Sequence, residues 1–169
     1  MFRRAREVGP VFLIPAAWTV VAAAHAGVVT DHTLLVAHVV MGVLLAGFAV
    51  TAYPDMREGT LRVWWTVIAV GFLAAAAGAA GFRLDSPALQ AVALYGWMLL
   101  PAVGLLDTGR RVEAARVVYL GGAALCVVGA AVYALAPALP VPSSTAVLVA
   151  VAAVGVGQTA GILDAALRY

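Results

Sequence analysis

Apolar residues run along this chain in long, nearly unbroken stretches, and polar or charged residues are confined to short gaps between them. A helix needs about 20 mostly apolar residues to cross a bilayer. Six stretches satisfy this, near 10–29, 33–53, 62–82, 88–106, 115–136 and 144–165. None alternates apolar with polar residues as a barrel strand does, and only helices or closed barrels satisfy their own backbone in lipid. The pattern predicts an all-α, polytopic membrane protein in which residues 1–169 form a single bundle of six transmembrane helices. The gaps carry turn or charge signals: Thr30-Asp31-His32, Pro54-Asp55, Asp85-Ser86-Pro87, Asp107 to Arg110, and Pro137 to Ser144. Pro15 and Pro101 fall inside spans, where kinks supported by neighbouring helices are expected.

Composition turns this pattern into a statement about solvent. Hydrophobic residues make up 64% of the chain and charged residues 11%, against about 25% charged in a soluble domain. A water-soluble protein this short has no interior large enough for so much apolar surface. The lipid bilayer is therefore the first expected partner. A net charge of +2 gives no footprint for nucleic acid. Cys126 is the single cysteine, which excludes an intrachain disulfide and a cysteine-based zinc site and leaves a small buried hydrophobe as its expected state.

Charge also sets the expected orientation. Arg3, Arg4 and Arg6 precede the first span, Arg57 and Arg62 separate the second from the third, Arg110, Arg111 and Arg116 separate the fourth from the fifth, and Arg168 follows the sixth. Six alternating spans put all of these on one side and leave only Arg83 on the other. The positive-inside rule makes the arginine-rich side cytoplasmic, so a multi-pass protein of the cell membrane with both termini in the cytoplasm is expected. Tyr53, Trp64, Trp65, Tyr119 and Tyr169 fall at the same level, as an interfacial aromatic belt would. Residues 1–26 also read as a signal peptide, with Ala24-His25-Ala26 as its cleavage site. Their apolar run is longer than a usual signal core, and the intact six-helix reading is preferred.

Two sequence echoes suggest three repeated helical hairpins. Gly104-Leu-Leu-Asp107 followed by Arg111 closes the fourth span, and Gly161-Ile-Leu-Asp164 followed by Arg168 closes the sixth. Arg62-Val-Trp-Trp opens the third span and Arg116-Val-Val-Tyr the fifth. The offsets, 57 and 54 residues, nearly agree, with Asp55 as a weaker first copy.

Candidate chemistry is sparse. His25 and His38 lie symmetrically about the Asp31–His32 turn, and equal rise along two antiparallel helices would bring both imidazoles to one depth. Imidazole ligates haem iron and divalent transition metals. Met41, one turn below His38, adds a thioether, and Asp31 and His32 are surface accessories. The cofactor expectation is thus haem b or a transition metal, set against simple hydrogen bonding of each imidazole to a neighbour. Asp107 with Arg111 and Asp164 with Arg168 are i,i+4 pairs near helix C-termini, expected to anchor the cytoplasmic ends. With Gln158, the two acids are also the candidates for a proton or ion path. Gln158 lies inside Gly157-Gln158-Thr159-Ala160-Gly161, on a small-residue stripe through Ala150, Ala153, Gly157 and Gly161. Gly121, Gly122 and Gly129 form a similar seam. Trp18, Tyr95 and Trp97 sit away from the interfaces and are expected to face the bundle, where their N–H and O–H groups find partners.

Three functional readings follow: a small haem- or metal-binding redox-associated protein using His25 and His38, a proton or small-solute transporter or channel, and a non-catalytic structural or assembly subunit. The first is the most specific. Small-residue helix faces suit a homo-oligomer or a larger membrane complex. Nothing in the chain supplies a nucleophile–base pair, which weighs against an enzyme.

Overall fold

The structure is a computed structural model that describes the backbone of residues 2–168 and the side chains of residues 11–167. Among these are six α-helices: α1 (Phe2–His25), α2 (Asp31–Ala52), α3 (Gly59–Arg83), α4 (Pro87–Arg111), α5 (Arg116–Leu135) and α6 (Ser143–Arg168). Short 3₁₀ turns at Tyr53–Asp55, Glu113–Ala115 and Ala136–Ala138 lie in three of the connections. The chain is all-helical. Five helices, α2 to α6, are long and apolar enough to cross a membrane, and the described apolar part of α1 is Val11–His25.

The helix ends follow from local chemistry. Thr30 caps α2, its hydroxyl accepting from the backbone N–H of Thr33 at 3.3 Å. Pro87 occupies the first turn of α4, where a missing N–H removes no helical bond. The end of α1 falls four residues short of the expected 29, and Gly27 is the reason. It adopts φ +73, while Gly27 N–H bonds Ala24 O and Val28 N–H bonds Ala23 O, the paired bonds of a Schellman stop. Residues 26–30 therefore turn instead of rising as helix, so equal sequence distance from the Asp31–His32 pair no longer means equal depth for His25 and His38. The same stop ends α3 with Asp85 at φ 50 and Ser86 N–H on Gly81 O at 2.8 Å. Asp tolerates this left-handed conformation better than most side chains.

Consecutive helices from α2 to α6 pack side by side in chain order, with a lighter contact between α4 and α6. The exception is α1. It packs on α6, and among the described residues no extensive contact joins it to α2. The pairs α3–α4 and α5–α6 thus form close hairpins, whereas the first predicted hairpin is open. The core runs through α4, α5 and α6 and is built from Met98, Ala102, Leu105, Tyr119, Cys126, Val151 and Val154, with Trp18 of α1 joining it.

Close approach explains the glycines of the α5–α6 seam. A Cβ on Gly122 would lie 2.6 Å from the carbonyl oxygen of Gly157, and one on Gly157 would lie 2.7 Å from that of Gly122. Backbone meets backbone here, a contact that only glycine permits.

Candidate functional site

Gln158 is the deepest strongly polar side chain described, 3% exposed among apolar neighbours. Its carbonyl Oε1 accepts from the indole Nε1 of Trp18 at 3.0 Å. Its Nε2 donates to the backbone carbonyl of Trp97 at 2.9 Å. One amide thereby joins α1, α4 and α6. An unsatisfied polar group in lipid costs several kcal/mol, so these bonds are what allow Gln158 to sit there.

The space for this arrangement comes from small residues. Trp18 lies over Gly155, where a Cβ would come within 3.1 Å of its own Cβ. The ring of Trp97 covers Gly71 on α3, where a Cβ would meet it at 2.8 Å. Trp97 therefore presents its ring to α3 and its carbonyl to α6. Trp18 has the internal partner expected of it.

The two histidines have separate surroundings. His25 Nε2 and Tyr133 Oη of α5 share a hydrogen bond of 3.3 Å. Their rings meet edge-on with centroids 5.4 Å apart, and Tyr133 meets Tyr95 of α4 at 5.7 Å. His38 Nδ1 bonds the carbonyl of Leu34 on its own helix at 2.8 Å. The other edge of the His38 ring rests on Gly78 of α3, and Phe82 lies 5.4 Å away between centroids. No neighbour found for one ring is shared by the other. Met41 is half-buried one turn along from His38, and Asp31 and His32 are exposed at the start of α2. Among the described residues, no group of three or more His, Cys, Asp or Glu side chains is disposed to hold a metal ion. His25 and His38 are each engaged with protein partners of their own.

At the opposite end of the bundle, α4 continues to Arg111. The Arg111 Nε donates to both carboxylate oxygens of Asp107 at 3.0 Å. With the guanidinium side chain 57% exposed, this pair orders the helix end and contributes little to stability. Asp164 is half-buried near the end of α6, whereas the side chain of Arg168, its predicted partner, lies outside the described residues.

Several contacts had no counterpart in the sequence reading. Trp64, expected in an interfacial belt, donates its Nε1–H to Thr108 Oγ1 at 3.0 Å, and Thr108 in turn donates to Gly104 O at 2.7 Å. The ring of Trp64 covers Gly104, where a Cβ would fall 2.9 Å from it. Trp65 donates to the Ala49 carbonyl of α2 at 2.9 Å. A Trp near one span end and a Gly-x-x-x-Thr step near the next were the visible signals, but neither specifies the pairing. Compared with known proteins, the chain matches no family model, no curated protein and no solved structure.

Proposed function

We propose that this chain crosses the cell membrane six times, with both termini in the cytoplasm, and serves as a non-catalytic structural or assembly subunit of a membrane complex. The arginine distribution supports the orientation, and the succession of six helices supports the span count. The observation that carries the functional reading is the state of the deep polar groups. Gln158 uses its amide oxygen and its amide nitrogen on other helices, His25 at the end of α1 shares a hydrogen bond with Tyr133 of α5, and His38 bonds a carbonyl of its own helix. The bonds of Gln158 and His25 join helices. Open small-residue faces favour further association: a Cβ on Gly47 of α2 or Gly121 of α5 would meet nothing within 4 Å.

The test is purification of the full chain in mild detergent, followed by native mass measurement, absorption spectroscopy and metal analysis. A colourless, metal-free species heavier than one chain is the expected result. A Soret band or stoichiometric metal, abolished by His25→Ala or His38→Ala, would replace this reading with the redox one. Proton flux in proteoliposomes that disappears with Asp164→Asn would replace it with transport.

A further inference from the structure

We infer that Gln158 is a surrogate backbone donor. It takes the place of the amide hydrogen that Pro101 lacks, and through Trp18 it makes the seating of α1 depend on the proline site of α4. Pro101 lies inside α4. A helical residue there would donate its N–H to the carbonyl four positions earlier, and proline has none to give. That carbonyl belongs to Trp97. It is the one that Gln158 Nε2 reaches, at 2.9 Å. Freed carbonyls at intramembrane prolines are satisfied by neighbouring helices, and here the donor is one identified side chain. The opposite end of the same amide accepts from Trp18 of α1 at 3.0 Å.

The two bonds fix the orientation of the amide. With Nε2 directed at a carbonyl, Oε1 must point away from α4, and it faces the indole N–H of Trp18. A flipped amide would set two oxygens against each other at Trp97 and two donors against each other at Trp18. The proline site therefore selects the amide orientation, and that orientation creates the acceptor to which α1 binds. Because α1 packs on α6 and not on its sequence neighbour α2, this acceptor lies in the seam that holds α1. The inference does not depend on whether the chain joins a larger complex.

Cys126 supplies a native reporter. It is the single cysteine, it is buried, and it belongs to the core cluster that Trp18 of α1 joins. Its labelling by N-ethylmaleimide in the intact, membrane-reconstituted chain reads how often the bundle opens at this level. An interhelical hydrogen bond in lipid contributes about 0.6 kcal/mol, which is about threefold in an equilibrium. Gln158→Leu removes both bonds and is expected to speed labelling about tenfold. In a Pro101→Ala background the new amide bonds the Trp97 carbonyl itself, so adding Gln158→Leu is expected to speed labelling only about threefold. Trp18→Phe keeps the ring, loses the N–H, and is expected to give about threefold acceleration. Equal acceleration by Gln158→Leu in both backgrounds would overturn the surrogate role, and wild-type labelling in Trp18→Phe would overturn the coupling to α1. If Gln158→Leu alone fails to assemble, recovery of the Pro101→Ala/Gln158→Leu chain supports the assignment and failure of both refutes it.

Discussion

The α5–α6 seam and the α2–α3 seam join helices of similar length by different means. Between α5 and α6 the backbones touch at Gly122 and Gly157. A turn or two away, Gly129 faces the carbonyl of Ala150, where a Cβ would come within 2.8 Å. Between α2 and α3 the contact is made by side chains: the His38 ring on Gly78, the Trp65 indole on the Ala49 carbonyl, and Tyr53 edge-on to Trp65 at 5.2 Å. Burial follows the first kind of contact. The helix α6 buries Ala146, Ala150, Val151, Val154 and Gln158, whereas α2 buries only Gly42 and Ala52. Yet α2 is the most apolar of the five membrane-length helices. In water the most apolar helix would be drawn to the centre. In lipid, apolarity gives no preference between a neighbouring helix and an acyl chain, so close packing and hydrogen bonds decide which helix is interior.

Three substitutions test this contrast. The largest effect is expected from Gly157→Ala, because its methyl group would meet the Gly122 carbonyl, and backbone cannot swing aside as a side chain does. A loss of about 3 kcal/mol is expected, at the upper end of overpacking costs, read as reduced resistance to denaturing detergent. Unchanged stability would mean that the α5–α6 contact is not the structural centre. A smaller effect is expected from Gly78→Ala, where the main obstacle is the imidazole of His38 and the Cβ of Ala93 stands 3.0 Å away. The ring can rotate away, so the expected loss is about 1 kcal/mol, accompanied by loss of the Nδ1 bond to Leu34. The histidine ring resonances in NMR would report that movement. A cost as large as that of Gly157→Ala would show the α2–α3 seam to be equally rigid. The smallest effect belongs to Gly47→Ala on the open face of α2. A Cβ there meets nothing within 4 Å, and alanine is the better helix former by about 0.8–1 kcal/mol in water. Stability of the isolated chain is expected to hold or rise slightly; a marked loss would reveal a partner on that face.

Particular residues show how far the sequence could be read. Asp85 marks a helix stop that the sequence signalled, whereas the stop at Gly27 lies inside the span expected to reach residue 29. Gln158 stood out as a deep polar group, and Pro101 stood out as an intrahelical proline. The link between them was not visible, because Gln158 and the Trp97 carbonyl are 61 residues apart and on helices that share only a light contact. The symmetric placement of His25 and His38 assumed that α1 and α2 pack as a hairpin. Each imidazole found its neighbours elsewhere, on α5 and on α3.

By itself the sequence determined the helical class and the approximate position of each helix, since apolar run length acts over a short stretch of chain. Only the tertiary structure decided that α1 returns to α6, that α2 lies at the edge, and which helices Gln158 joins. Five of the helices are long and apolar enough to cross a membrane, so partner choice rests on a few glycine contacts and buried hydrogen bonds whose members are remote in the chain.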